Sequence, residues 1–327
     1  MTVVITRAVP DDLVAAELAG FEVLQGPAGV GFSEDALHAA VQGADALVTW
    51  GFARVDAGLL DLAPRLKIVA NIAAGTDNLD VPELRRRGIW ATNVPDAFAV
   101  STAEVAMALM LSVMRRISEG ERFIRDGRWH ASEPGRFDGA TLQGKRLGLV
   151  GFGRIAREVA VRAAAFGMEI GYHARHRAAP EVETAARASH RPLSALLAES
   201  DVISLHVPLT AETRHLIGAA QLAAMKATAV LVNTARGQVV DEPALIAALE
   251  AGTIAGAGLD VFHDEPSVPD SLMRLPNVAV TPHLGGATRE ARRDAQRHAL
   301  QNVRLVLTGE PPLSPLLAAV DRAESED

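Results

Sequence analysis

No cysteine occurs among the 327 residues. That absence removes disulfides, thiolate nucleophiles, Fe–S clusters and Cys-bound zinc together, and it fits a chain with no need of oxidative folding. No metal site is expected. Cationic excess is missing too: the net charge is −8, so nothing draws the chain to phosphate backbones or anionic lipid, and nucleic acid is not an expected partner. Long apolar runs are also lacking. Nowhere do about 18 apolar residues run without a charge, and the most hydrophobic helix candidate, 101–114, carries Glu104. The apolar run near Met1 is too short for a secretion signal and soon meets Asp11 and Asp12. A cytoplasmic protein with no membrane association is the expectation.

What is present is a chain 49% hydrophobic and 22% charged, long enough to bury a large core and to divide into two domains. Short β-branched runs alternate with amphipathic helical stretches, the pattern of parallel strands joined by crossover helices. A first series of strands is predicted at 3–6, 46–49, 68–71 and 90–93, and a second, fuller series at 146–150, 169–173, 202–205, 229–233, 256–259 and 278–281. The predicted fold class is therefore α/β, with two Rossmann-like domains built on parallel sheets. Between the series, Ser101-Thr-Ala-Glu104 has capping-box spacing and predicts the start of a long apolar helix. Residues 288–307 read as a last long helix that returns to the first unit. Thus 1–98 and 286–327 are expected to form one discontinuous domain, with 99–285 inserted in it. Residues 128–144 have no clear period and read as a loop or arm.

The sharpest local signal is Arg146-Leu-Gly-Leu-Val150 followed by Gly151-Phe-Gly153-Arg-Ile-Ala156, a G-x-G-x-x-A turn between strand and helix. Gly151 permits the tight turn, Gly153 lets backbone approach a pyrophosphate, and Ala156 allows close packing of helix on strand. The helix N-terminus then offers amide donors and a positive dipole end to the phosphates. Ile155, Val159, Ala163 and Phe166 fall on one face of that helix, the face expected to pack on the sheet. An NAD site would place an acid near the end of the next strand, on the ribose 2′-hydroxyl. Here that strand ends in Ala174-Arg-His-Arg177, and Glu169 at its start is misplaced for the ribose. Arg175 and Arg177 can pair with a 2′-phosphate, so NADP(H) is the preferred cofactor and NAD(H) the alternative.

Downstream lie Val232-Asn-Thr-Ala-Arg-Gly237, Gly258-Leu-Asp-Val-Phe-His-Asp-Glu-Pro266 and Thr281-Pro-His-Leu-Gly285. With these motifs the chain resembles the D-isomer-specific 2-hydroxyacid dehydrogenase family, most closely its glyoxylate/hydroxypyruvate reductase branch. The resemblance runs from Asn71-Ile-Ala-Ala-Gly-Thr-Asp-Asn78 to Gly309-Glu-Pro-Pro312. It implies that Arg236 binds the substrate carboxylate, that His283 is the acid/base and that Glu265 supports it. The chemistry is coherent. A guanidinium grips a planar carboxylate bidentately, and an imidazolium protonates the alkoxide that hydride delivery creates. A carboxylate beside the ring favours its charged form, so reduction is expected to fail when His283 loses its proton. The resemblance also assigns cofactor contacts to Thr102, Arg154, Ile155, Thr213, Ala235 and Asp260. It assigns a backbone grip on substrate to the loop at Ala74 and Gly75, where small residues let amides come close. For Thr102 a helix-cap role and for Ile155 a core role stand as alternatives.

Departures from the family pattern carry information. Phosphite-oxidising members have a lysine in the loop where this chain has Ala74, so phosphite is disfavoured as substrate. With only a short acidic tail to Asp327, the regulatory domain of 3-phosphoglycerate members is not expected. Trp50 and Phe52 lie after a strand, where they either close over an aromatic or hydroxymethyl substrate group or serve the core or an interface. The expected partners are a small 2-oxo or 2-hydroxy acid and a second copy in a homodimer, which the resemblance places on the 101–114 helix and the 128–144 arm. Two rivals remain: an NAD-linked D-2-hydroxyacid dehydrogenase, and a weakly catalytic co-repressor-like protein that senses dinucleotides.

Overall fold

The computed structural model describes residues 1–316, so the acidic tail lies outside the described residues. The chain divides into two compact units, Met1–Phe98 with the chain from Thr288 onward, and Ala99–Ala287. The first unit holds β1 (Thr2–Ile5), β2 (Glu22–Gln25), β3 (Ala46–Trp50), β4 (Ile68–Ile72) and β5 (Trp90–Thr92). They form one parallel sheet in the order β2-β1-β3-β4-β5. Both faces of its centre are covered, which is why these strands read as unbroken apolar runs. Val3, Ile5, Val48, Ile68 and Ala70 point to one side and pack with Ala295, Ala299, Leu300 and Val303 of the helix Arg289–Leu307. Their alternates Val4, Leu47 and Val69 face the other side, against Leu59, Leu60 and Leu84. β2 was not expected from the pattern. It is an edge strand with Glu22 and Leu24 exposed, so no apolar run marks it.

The second unit holds β6 (Arg146–Val150), β7 (Glu169–His173), β8 (Ala188–His190), β9 (Val202–Leu205), β10 (Val230–Asn233), β11 (Gly256–Leu259) and β12 (Val278–Val280). This sheet is also parallel, in the order β12-β11-β10-β9-β6-β7-β8. From β6 the chain runs outward to β7 and β8, then returns to β9 on the other side of β6. The point of reversal between β6 and β9 is where sheets of this kind bind ligands, at the carboxyl ends of the strands.

Two local expectations need correcting. The long apolar helix spans Ala99–Met114, so Ser101 and Thr102 lie buried inside it and the capping box at Ser101 is not its start. Its small buried residues let it press on the sheet; a Cβ at Gly258 of β11 would stand 2.9 Å from the Leu109 Cβ. On the helix Arg154–Ala165, Val159 and Ala163 are buried as expected, but Phe166 caps the helix and is exposed. Ala156 and Ala160 complete the buried stripe instead. Among the described residues, no helix is long and apolar enough to cross a membrane.

Candidate active site

The glycine turn stands at the reversal point. Gly151 follows β6 with φ +91°, and a Cβ on it would lie 2.5 Å from the carbonyl oxygen of His206, which follows β9. No other residue type fits without strain. Gly153 is the N-cap of the helix Arg154–Ala165, and no side chain caps the first amides. Nothing lies within 4 Å of where its Cβ would be, so backbone is open to close approach. Ala156 is fully buried, and Ile155 packs partly buried against the same core. These residues fit the diphosphate of a dinucleotide, held by helix-terminal donors. Thr213 is occupied by its own turn, accepting from the Thr210 amide at 2.8 Å and donating to the Pro208 carbonyl at 2.6 Å.

At the end of β7 the two arginines part company. Arg177 donates through Nε and Nη2 to both oxygens of Glu183, at 3.0 and 2.9 Å. The Tyr172 hydroxyl donates to the same carboxylate at 2.7 Å. Together these bonds pull the Glu183 carboxyl down to about 2. Arg175 is exposed; with the Thr210 hydroxyl as the larger cause, its charge helps hold the Glu212 carboxyl below the ordinary carboxylate range.

The three loops after β10, β11 and β12 converge. His283 Nδ1 meets Glu265 Oε2 at 2.7 Å, and Glu265 Oε1 accepts from the Phe262 amide at 3.0 Å. Burial works against the Glu265 carboxylate. The His283 hydrogen bond and charge, the Phe262 amide and the Arg236 charge outweigh it, holding the group below the ordinary carboxylate range. Arg236 enters through a turn shaped by buried Asn233, whose amide donates to the Arg236 carbonyl at 2.9 Å while its oxygen accepts from the Ala235 amide at 3.0 Å. Gly237 is what lets this loop close on its neighbour, since a Cβ there would overlap the Phe262 carbonyl. Gln238 then donates to the His263 carbonyl at 2.5 Å.

Asp260 is almost wholly buried, and its carboxylate serves the His283 loop. It accepts from the Thr281 hydroxyl at 2.6 Å, the Leu284 amide at 2.6 Å and the Gly285 amide at 2.8 Å. Since a carboxylate offers about four acceptor positions, about one remains for an outside donor such as a carboxamide. Thr102 is buried beside Gly285, its Oγ1 3.1 Å from where a Cβ on that glycine would stand.

In the first unit, the Ala73–Gly75 loop follows β4. The amide of Val94 donates to the Ala73 carbonyl at 3.0 Å, the Asn93 side chain to Ala74 at 2.7 Å and the Asn71 side chain to Gly75 at 3.0 Å. All three carbonyls are held inward, while no described residue accepts from the amides of Ala74 or Gly75. Trp50 ends β3 and donates its indole N–H to the Arg7 carbonyl at 3.2 Å, with the Arg7 guanidinium 5.7 Å from the ring centre. Of its two expected roles, packing in the first unit is the one with contacts. Sequence reasoning missed Asn233, Gly237, Glu183 and the asparagines 71, 78 and 93. Asn71, Asn78, Asn233 and Gly237 lie inside the family motifs and Asn93 at the end of a predicted strand, and only their three-dimensional partners reveal what they hold.

Comparison with known proteins shows the family. Residues 107–285 match the D-isomer specific 2-hydroxyacid dehydrogenase family in its NAD binding domain. A glyoxylate reductase of Thermococcus gammatolerans is 46% identical over 314 residues, covering 95% of this chain and 94% of that protein. The crystal structure of a glyoxylate reductase from Paecilomyes thermophila superposes with TM-score 0.88 at 33% identity, covering 97% of this chain and 98% of that one. An NADPH-dependent glyoxylate/hydroxypyruvate reductase from Sinorhizobium meliloti, solved with NADP and malonate, superposes with TM-score 0.84 at 31% identity, covering 97% of each chain. The chain thus belongs to the D-isomer specific 2-hydroxyacid dehydrogenase family.

Proposed function

We propose that this chain is an NADP(H)-preferring 2-oxo acid reductase of the glyoxylate/hydroxypyruvate type, with His283 as proton donor. The observation that carries the proposal is the 2.7 Å pair of His283 and Glu265, with the Arg236 charge acting on the same carboxylate. Arg236 holds the substrate carboxylate through paired hydrogen bonds. In the first unit, the inward-held carbonyls of the Ala73–Gly75 loop leave the Ala74 and Gly75 amides as the proposed substrate-binding donors of that unit. A bound nicotinamide supplies the hydride that C2 of the substrate receives. Glu265 holds Nδ1 of His283, so the proton passes from Nε2 to the developing alkoxide. Gly151, Gly153, Arg154, Ile155, Ala156, Thr102, Thr213, Ala235 and Asp260 belong to the cofactor side of the same reading, with Arg175 at the 2′-phosphate. NAD(H) use is the second reading, favoured by the engagement of Arg177 with Glu183.

The proposal includes a cytoplasmic location and a homodimer formed through the Ala99–Met114 helix and the 128–144 segment, where Trp129 stands 64% exposed. The deciding experiment follows oxidation of NADPH and NADH by purified protein with glyoxylate, hydroxypyruvate, pyruvate, phenylpyruvate and 2-ketogluconate. Rapid NADPH oxidation with one or two acids is the expected result. No turnover with any of them would move a dinucleotide-sensing role to the front. His283→Ala is expected to lower turnover by about 100-fold or more, the ordinary scale of general acid catalysis, with NADPH affinity nearly unchanged. Near-normal reduction by that variant would remove the proton donor.

A further inference from the structure

The loop after β7 carries two guanidiniums but does not present them equally. Arg177 is held by two hydrogen bonds to Glu183, whose carboxylate is only 12% exposed and is held in turn by the Tyr172 hydroxyl. Tyr172 is itself fully buried, stacked on Phe152 of the glycine turn with ring centres 3.9 Å apart. Its hydroxyl also accepts from the Ala178 amide at 2.8 Å, tying down the segment just past Arg177. The carboxylate that captures Arg177 is thus anchored to the floor of the dinucleotide site. A planar fork satisfied at both ends is an unready ligand for another anion, because its pair must be broken first. The charge sum matters as well: Arg177 and Glu183 cancel through paired hydrogen bonds, whereas Arg175 is exposed, makes no such pair and acts only through its charge on Glu212.

Resting on the NADP(H) reading, we propose that Glu183 sets how strongly this site discriminates for a 2′-phosphate. It sequesters Arg177, so Arg175 alone carries recognition of the phosphate. Arg177 acts instead as a strap that fixes the loop on the helix Pro180–Ala186. Glu183 is a specificity-determining residue that lowers the preference for NADP(H) and leaves NAD(H) usable.

The test measures direct binding, by calorimetry, of adenosine 2′,5′-bisphosphate and adenosine 5′-monophosphate, which differ only in the 2′-phosphate. Glu183→Gln keeps an oxygen for the Tyr172 hydroxyl but removes the charge. It is expected to tighten bisphosphate binding roughly five- to tenfold, the scale of one added partly solvated charge contact, with monophosphate binding unchanged as the control for folding. Arg175→Ala is expected to lose most of the parent preference, and Arg177→Ala to stay within about twofold of the parent. In the Arg177→Ala background, Glu183→Gln should gain less than in the parent, because only there can it release an arginine. An Arg177→Ala loss as large as that of Arg175→Ala would overturn the proposal, as would a Glu183→Gln variant that binds both ligands like the parent. If the parent shows no preference, the NADP(H) reading falls alone. The role of Glu183 then stands if Glu183→Gln creates a preference and falls if it does not.

Discussion

Replacing Glu265 by Gln tests the His283 pair through its electrostatics. The substitution keeps the size of the side chain and an oxygen for the Phe262 amide, while removing the negative charge beside the ring. Two unit charges about 4 Å apart at an effective dielectric of about 20 interact by about 4 kcal/mol. The side chains of His283 and Glu265 are 33% and 23% exposed, so solvent screening brings the working figure to about 1–2 kcal/mol. At about 1.4 kcal/mol per factor of ten, that is about a tenfold loss of kcat/KM for glyoxylate reduction. The loss should fall on kcat, because the carboxylate holds the ring through Nδ1 and makes no contact with the carboxylate end of a 2-oxo acid. Because the Glu265 carboxyl is held below the ordinary carboxylate range, it carries its charge near neutrality and the substitution removes that charge there. The assay is NADPH oxidation at limiting and saturating glyoxylate in parent and variant. A variant with the kcat of the parent would refute the reasoning, leaving Glu265 as a purely steric support.

Three further outcomes can be checked. Gly151→Ala places a Cβ 2.5 Å from the His206 carbonyl at φ +91°. It should cost at least about 2 kcal/mol of stability and abolish dinucleotide binding, read by denaturant unfolding and calorimetry. Asp260→Asn turns an acceptor toward the donors of the His283 loop as a donor itself and should destabilise by about 1–3 kcal/mol. It should also lower kcat more than it raises KM for the 2-oxo acid; an unchanged kcat would sever Asp260 from the placement of His283. Burial lowers the His206 pKa from 6.5 to about 3. The unfolded chain therefore takes up a proton that the native chain refuses, and stability falls as pH drops from about 6.5 toward 3. His206→Gln should flatten that decline in calorimetric melting at stepped pH.

The elements legible in the sequence are those whose chemistry is one-dimensional. Central strands such as Ala46–Trp50 and Ile68–Ile72 are buried on both faces and so announce themselves as apolar runs. The edge strands β2 and β8 expose alternate residues and stay hidden. Gly151 and Gly153 could be read because a strand and a helix flank them, and a turn of that kind demands glycine. The start of the Ala99–Met114 helix was misjudged because Ser101 and Glu104 have capping spacing while tertiary packing buries Ser101 within the helix. The pairing of Arg177 with Glu183 was out of reach for a different reason. The side chains meet six residues apart, across a helix start, and nothing in a count of cations shows that one is already neutralised. His283 and Glu265 became visible as a pair only through resemblance, since they lie 18 residues apart on separate loops.

How His283 is held explains why so much buried polarity gathers around a single ring. Its backbone lies in the left-handed region at φ 54°, a conformation that costs a residue with a side chain about 1–2 kcal/mol. Its amide is held by the carbonyls of Asp260 at 2.9 Å and Thr281 at 3.1 Å. The Asp260 carboxylate collects three more donors from the residues on either side. Hydrogen bonds to a charged acceptor are the stronger kind, at about 1.5–3 kcal/mol each, so three of them outweigh the backbone strain. A histidine in relaxed backbone would leave the ring free to turn with its loop. Here the loop is fixed by Asp260 and the ring by Glu265, two carboxylates on the same β11 loop, while Gly237 lets the Arg236 turn press against that loop. For the proposed reaction, the direction of the proton donor and the place of the carboxylate grip are thereby set within one unit, before any substrate arrives, which is what catalysis by positioning requires.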